Sequence, residues 1–144
     1  MTSTDPYLPL ELAQELFTDR ITQGFWDRCS DHELAFQKCS ACGTFRNPPV
    51  PVCHNCRSDQ YEWSPVVGAG TVYSFTVVTH PVADFLHDTV PFNVVLVEFD
   101  DAPGVRLISN LVDAEPDELE VGMSVALHWQ DLDTGVTLPR FVKG

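Results

Sequence analysis

The chain has 144 residues, room for one domain with a small appendage, and its 44% apolar against 20% charged residues exclude a disordered chain. Eight Lys and Arg stand against 21 Asp and Glu, a net charge of −13, and residues 58–144 alone hold three basic and fourteen acidic side chains, so that part repels nucleic-acid phosphate and anionic membrane surfaces. No run reaches the ~18 apolar residues of a spanning helix, and no basic patch followed by an apolar run opens the sequence, so neither a membrane span nor a secretory signal is expected and the expected location is cytoplasmic.

Residues 1–33 read as a helical arm. Leu12 and Leu16, then Phe17, Ile21 and Phe25, repeat at i, i+4 along one face within 7–33. Pro9 suits a first turn, and Thr18 and Asp19 are candidate caps of a second helix carrying Phe25 and Trp26, although Gly24 weakens it. The arm holds too few apolar residues for its own core and is expected to pack on the rest of the chain or on another subunit.

Residues 34–67 form a cysteine module. Leu34 to Cys39 alternates like a strand, Cys42-Gly43 makes a tight turn, and Thr44-Phe45-Arg46 returns antiparallel. Pro48, Pro49 and Pro51 lead to the second cysteine pair. Residues 58–67 read as a connector ending in a short extended stretch, Tyr61-Glu62-Trp63.

Residues 68–144 are strand-rich. Strands are expected over 71–78, 92–99, 105–111, 123–129 and 137–142, with a turn through Asp100 to Gly104 and a short helical turn between Asp113 and Leu119. Pro139 marks the fifth strand as an edge. Five strands with a helical turn between the third and fourth match a small Greek-key barrel of the oligonucleotide/oligosaccharide-binding (OB) type, although composition alone also allows another barrel or a sandwich. The fold class is therefore mainly β, with an N-terminal helical arm.

Four of the five cysteines, Cys39, Cys42, Cys53 and Cys56, make two Cys-x2-Cys pairs separated by ten residues. Such spacing lets both sulfurs of a pair reach one ion across a tight turn, and four thiolates complete a tetrahedron with no open position, so the expected metal is a structural Zn2+. Two redox dithiols or a rubredoxin-like iron site, which would make an electron carrier, are the other chemistries this pattern serves. His54 is a substitute ligand only if one cysteine were missing, and Cys29 reads as a helix residue without a role. His80, Asp84, His87 and Asp88 crowd one loop and read as solvated polar residues. His128 reads as structural, and Trp26, Trp63 and Trp129 as core or interface anchors. No nucleophile elbow, phosphate loop or dinucleotide-binding glycine run is present.

The strings Gly24-Phe25-Trp26, Phe36-Gln-Lys-Cys39-Ser-Ala-Cys42-Gly43, Pro48-Pro-Val-Pro51-Val-Cys53-His-Asn-Cys56, Gly70-Thr-Val-Tyr73-Ser-Phe-Thr-Val and Gly122-Met123 resemble one family over about residues 18–143. It is the acyl-CoA-associated family that joins a rubredoxin-like zinc ribbon to an OB-fold barrel, long catalogued as a domain of unknown function. The resemblance implies a non-catalytic companion of a thiolase-fold enzyme, held in a hetero-oligomer. That enzyme would be an aldolase of steroid side-chain degradation acting on CoA thioesters, or a thiolase. It also implies an arm at 1–33, a ribbon at 34–67 with its zinc on the four cysteines, and a barrel at 68–144. Phe17, Phe25 and Trp26 are the candidate partner interface. Arg28, Lys38, Arg46 and Arg57, the basic residues in or beside the ribbon, are the candidate contacts for acyl-CoA at the shared interface. The OB fold offers single-stranded nucleic-acid binding as the alternative, which the acidic barrel opposes.

Overall fold

The computed structural model describes residues 19–144. Leu12, Leu16, Phe17 and the proposed Thr18 cap lie outside the described residues. The second helix of the arm is α1, Gln23–Ser30. In the turn before it, the Asp19 carboxylate accepts the N–H groups of Thr22 and Ile21 at 2.8 and 2.9 Å, and the Thr22 hydroxyl accepts the Asp19 N–H at 3.0 Å. These bonds close the turn ahead of the helix, whose own N-cap position, Thr22, makes no side-chain cap bond, and they hold the Asp19 carboxyl below its usual range, with the Thr22 and Ile21 N–H groups as the main causes. The helix ends in a Schellman turn. His32 is left-handed (φ 57°), and the N–H groups of His32 and Glu33 reach the Cys29 and Arg28 carbonyls at 2.9 Å. Gly24 costs helix propensity for a reason seen only in three dimensions: a Cβ there would lie 2.6 Å from Cζ2 of Trp63, so the indole rests directly on the helix backbone.

In the ribbon, β1 (Ala35–Cys39) runs between β2 (Phe45–Arg46) and β3 (Tyr61–Pro65), antiparallel to both. The stretch at Tyr61 is thus the third strand of the ribbon sheet, not the end of a connector. Its outer edge is exposed, which removes the alternation that would have announced it.

The second sheet has five antiparallel strands in the order β6-β5-β4-β7-β8: β4 Ala69–Val78, β5 Phe92–Phe99, β6 Ala102–Ser109, β7 Ser124–Asp131 and β8 Thr137–Lys143. Its end strands approach through a parallel bridge between Leu111 and Phe141, where the Val112 N–H donates to the Phe141 carbonyl at 2.8 Å and the Phe141 N–H to the Asn110 carbonyl at 3.0 Å. A 3-10 turn, Pro116–Glu118, fills the expected place between the third and fourth barrel strands. This is the curled half-barrel of an OB fold. One expectation is corrected. Asp100-Asp101 make the β5–β6 reversal alone; Phe99 pairs with Ala102, and Pro103-Gly104 lie inside β6, where an end strand with a register irregularity tolerates them.

Side chains alternate along β5, turning Asn93, Val95, Val97 and Phe99 inward. Asn93 acts as a clamp: its Oδ1 accepts the Leu111 N–H and its Nδ2 donates to the Leu111 carbonyl, both at 2.8 Å. The main core joins helix, ribbon and barrel, and a smaller cluster, Leu132 and Leu138, packs beside Trp26. Phe25, Phe36, Phe99 and Phe141 follow one another with ring centroids 6.3, 5.4 and 6.0 Å apart. The described part of the arm therefore packs on its own chain. No helix among the described residues is long and apolar enough to cross a membrane.

Candidate metal centre

Both cysteine pairs sit in the same backbone turn. The Cys39 N–H donates to the Thr44 carbonyl at 2.8 Å and the Gly43 N–H to the Cys39 carbonyl at 2.9 Å; Cys53, Ser58 and Arg57 repeat the pattern at 2.8 and 2.9 Å. Each turn needs a left-handed residue at its fifth position. Gly43 supplies it freely at φ 77°, whereas Arg57 holds φ 66° at a cost of roughly 1–2 kcal/mol. The turns bring the four sulfurs within 4.8 Å of one another, with Cys39–Cys56 at 3.5 Å and Cys42–Cys53 at 3.6 Å. A tetrahedron with Zn–S bonds of ~2.3 Å has edges of roughly 3.8 Å, so the donor set is positioned for zinc. Cys39 and Cys53 are buried and Cys42 and Cys56 exposed. His54 is exposed and stands outside the cluster.

The thiols are unequal. The Thr44 hydroxyl, 3.1 Å from Cys42 Sγ, together with the Thr44 N–H and the Asn55 amide, pushes the Cys42 thiol down to about 5. The backbone N–H of Cys42, and that of Ala41, lower Cys39. Cys56 moves the other way: the Ser58 N–H favours its thiolate, but crowding by Cys39, burial, and the neighbouring Cys42 and Cys53 outweigh it and raise the thiol to about 12. The cluster thus forms its first thiolates easily and resists the last, because like charges a few ångströms apart repel. A dication removes that resistance. Zinc uptake at neutral pH should therefore release at least one proton, from Cys56. Calorimetric titration in buffers of different ionisation enthalpy checks this, and identical heats in all buffers would contradict it. For a thiol with a lowered pKa, the thiolate is present above that value and lost below it. Apparent zinc affinity should accordingly fall as the pH drops toward about 5, where even Cys42 takes up its proton.

The other polar residues singled out in the sequence lie apart from the four sulfurs. His87 and Asp84 are exposed and 3.9 Å apart in the loop after β4. His128 lies on β7 opposite Arg140, with its side chain outward. Cys29 is fully buried, and burial raises its thiol to about 12. A trio invisible in the sequence forms at the barrel rim: the His32 ring stacks on Trp129 at 5.4 Å, His32 Nε2 lies 2.9 Å from Asp131 Oδ1, and the Thr137 hydroxyl donates to the same oxygen at 2.7 Å. Thr137 is 6% exposed, so the hydroxyl that donates to this carboxylate is closed off from solvent.

Of the proposed interface residues, Phe25 is 7% exposed and belongs to the core. Trp26 lies on a cleft of about 370 Å³ where α1 meets Pro48-Pro49 and strands β6 and β8, beside Arg106, Ile108 and Leu138. Of the basic residues, Arg28 stacks over Trp63 at 5.0 Å and lies 3.5 Å from Glu33, and Lys38 stands over Phe45 at 5.6 Å. Arg57 occupies the second cysteine turn. Arg46 is 2% exposed, so it leaves the set of surface groups that a ligand reaches from solvent.

Residues 26–62 match the family described as ChsH2, rubredoxin-like zinc ribbon domain, and residues 63–130 the family described as ChsH2, C-terminal OB-fold domain. The structure superposes on a chain of the Ltp2-ChsH2(DUF35) aldolase with a TM-score of 0.78 and 36% identity, covering 88% of this chain and 96% of that one. A DUF35 domain-containing scaffold protein of Methanothermobacter thermautotrophicus is 32% identical over 67% of this chain and 71% of its own length. The 3-oxo-4,17-pregnadiene-20-carboxyl-CoA hydratase alpha subunit of Mycobacterium tuberculosis is 37% identical over 79% of this chain, and the chain spans only 35% of that subunit.

Proposed function

Because the chain belongs to the ChsH2 (DUF35) zinc-ribbon and OB-fold family, we propose that it is a non-catalytic accessory subunit whose ribbon holds a structural zinc and which binds and stabilises a thiolase-fold enzyme acting on acyl-CoA thioesters. The partner in this reading is an aldolase of steroid side-chain breakdown or a thiolase. The observation that carries it is the likeness to the subunit of the Ltp2-ChsH2 aldolase over nearly the whole of that chain. In this reading 1–33 is the arm, 34–67 the ribbon with its zinc on Cys39, Cys42, Cys53 and Cys56, and 68–144 the barrel. Trp26 is the partner contact, and Arg28, Lys38 and Arg57 are the groups available to CoA phosphates. The reducing cytoplasm, where thiols stay free to bind metal, is the matching compartment.

Co-expression with a candidate thiolase-fold enzyme, chosen from the neighbouring genes, tests the reading: a stable hetero-oligomer is expected, and an inert mixture would count against it. Trp26→Ala should weaken that complex about 30-fold, the ~2 kcal/mol of a hot-spot aromatic, and Ile108→Asp, at a position 70% exposed in the same cleft, should do so without lowering the melting temperature. Unchanged complex yield for both variants would place the interface elsewhere. A gel shift with single-stranded nucleic acid at low salt is not expected from a barrel segment of this charge.

A further inference from the structure

The largest fully buried side chain is a cation. Arg46 is 2% exposed, and its Nε, Nη1 and Nη2 all lack a hydrogen-bond partner. No ion pair among the described residues includes it. Arginine keeps its proton in proteins, so the charge cannot be shed, and a buried charge without compensation is strongly disfavoured. Its visible partner is the ring of Tyr61, 5.2 Å from the guanidinium carbon. The neighbour across the strand gives no relief. Gln37 is fully buried, its Oε1 accepts the Val50 N–H at 2.9 Å, and its Nε2 is a second donor without an acceptor. The middle of the ribbon therefore gathers unpaired donors around a cation, and among the described residues the Tyr61 ring meets that charge without an acceptor atom.

The sheet register shows where the opposite charge lies. Gln37 faces Arg46 and Cys39 faces Tyr61, so Arg46, Gln37, Tyr61 and Cys39 project from one face of the sheet. Strand geometry puts the Cα atoms of Arg46 and Cys39 about 8 Å apart. Four thiolates around one Zn2+ carry a net charge of −2, and Cys39, the ligand on this face of the sheet, is as buried as Arg46 at 2% exposed. We propose that Arg46 is the internal counter-charge of the metal centre. Held on the Tyr61 ring, it lowers the energy of the tetrathiolate form, and the thiolates in turn compensate its burial. The inference rests on the zinc reading above and adds to it a residue that touches no ligand sulfur.

Zinc affinity of the full chain, measured by competition with a chromophoric chelator, tests it, together with the absorption of the cobalt-substituted protein. Arg46→Met should bind zinc at least tenfold more weakly, with the cobalt spectrum of an intact four-sulfur site, and Arg46→Lys should stay within about threefold of the original chain. If Arg46→Met fails to fold, the comparison passes to Arg46→Gln, which must bind at least tenfold more weakly than Arg46→Lys. Equal affinity of the neutral variants and the original, or an equal loss in Arg46→Lys, would show that the guanidinium acts by packing and overturn the proposal. An original chain that takes up no zinc would overturn the metal reading itself, and this inference with it.

Discussion

Exchange of Cys53 for serine should remove tight zinc binding, weakening it by more than ~100-fold, and lower the melting temperature by about 10 °C or more. Cys53 is 1% exposed and its sulfur lies 3.6 Å from that of Cys42, so serine withdraws one of four thiolates from inside the cluster and leaves a hydroxyl in its place. Structural zinc sites contribute on the order of 10 kcal/mol in small peptides, far more than a three-stranded ribbon can gather by burial alone. The damage should spread beyond the ribbon, because Phe36 on β1 packs 5.4 Å from Phe99 of the barrel and both belong to one core. Metal analysis and thermal melts are the measurements. A Cys53→Ser chain with a full complement of zinc and an unshifted melt would mean that the cluster does not hold the fold. Colourless wild-type protein with one zinc per chain would also dispose of the iron reading.

Asn93→Ala should destabilise the chain by about 2–4 kcal/mol while leaving zinc content intact. The Asn93 amide satisfies both backbone groups of Leu111 at 2.8 Å, inside the molecule, at the point where the chain leaves β6 to meet β8. Alanine cannot replace either bond, and Leu111 is fully buried, so water cannot substitute without opening the barrel. The clamp is continued by Asn110, whose Nδ2 donates to the Asn93 carbonyl and whose Oδ1 accepts from Arg140. Urea denaturation followed by barrel fluorescence, alongside metal analysis, separates this effect from that of Cys53→Ser. A loss below ~0.5 kcal/mol would mean that the barrel closes without the clamp.

Much of the architecture was readable from local signals. The two Cys-x2-Cys pairs announce a metal site because ligand spacing is a property of a few adjacent residues. Phe92 to Phe99 announces a half-buried strand because alternation with period two is written directly in its residues. Asp19 announces a chain reversal ahead of the helix because its short carboxylate reaches N–H groups two and three residues on. Tyr61-Glu62-Trp63 is legible as an extended stretch, but its place as the third ribbon strand is not, because an exposed strand edge carries no alternation, and Pro103-Gly104 signals a break without saying whether a strand end can absorb it.

The amino-acid order by itself determined the element types, the four-sulfur set and the acidic character of the barrel, since propensity, ligand spacing and charge all act over short stretches of chain. Only the tertiary structure decided that Gly24 serves a Trp63 ring, that Asn93 closes the barrel at Leu111, that Phe25 faces the core, and that Arg46 is enclosed rather than offered to a ligand. Each of those outcomes depends on which distant strand or helix arrives opposite, and burial and pairing across the fold have no signature in the neighbouring residues.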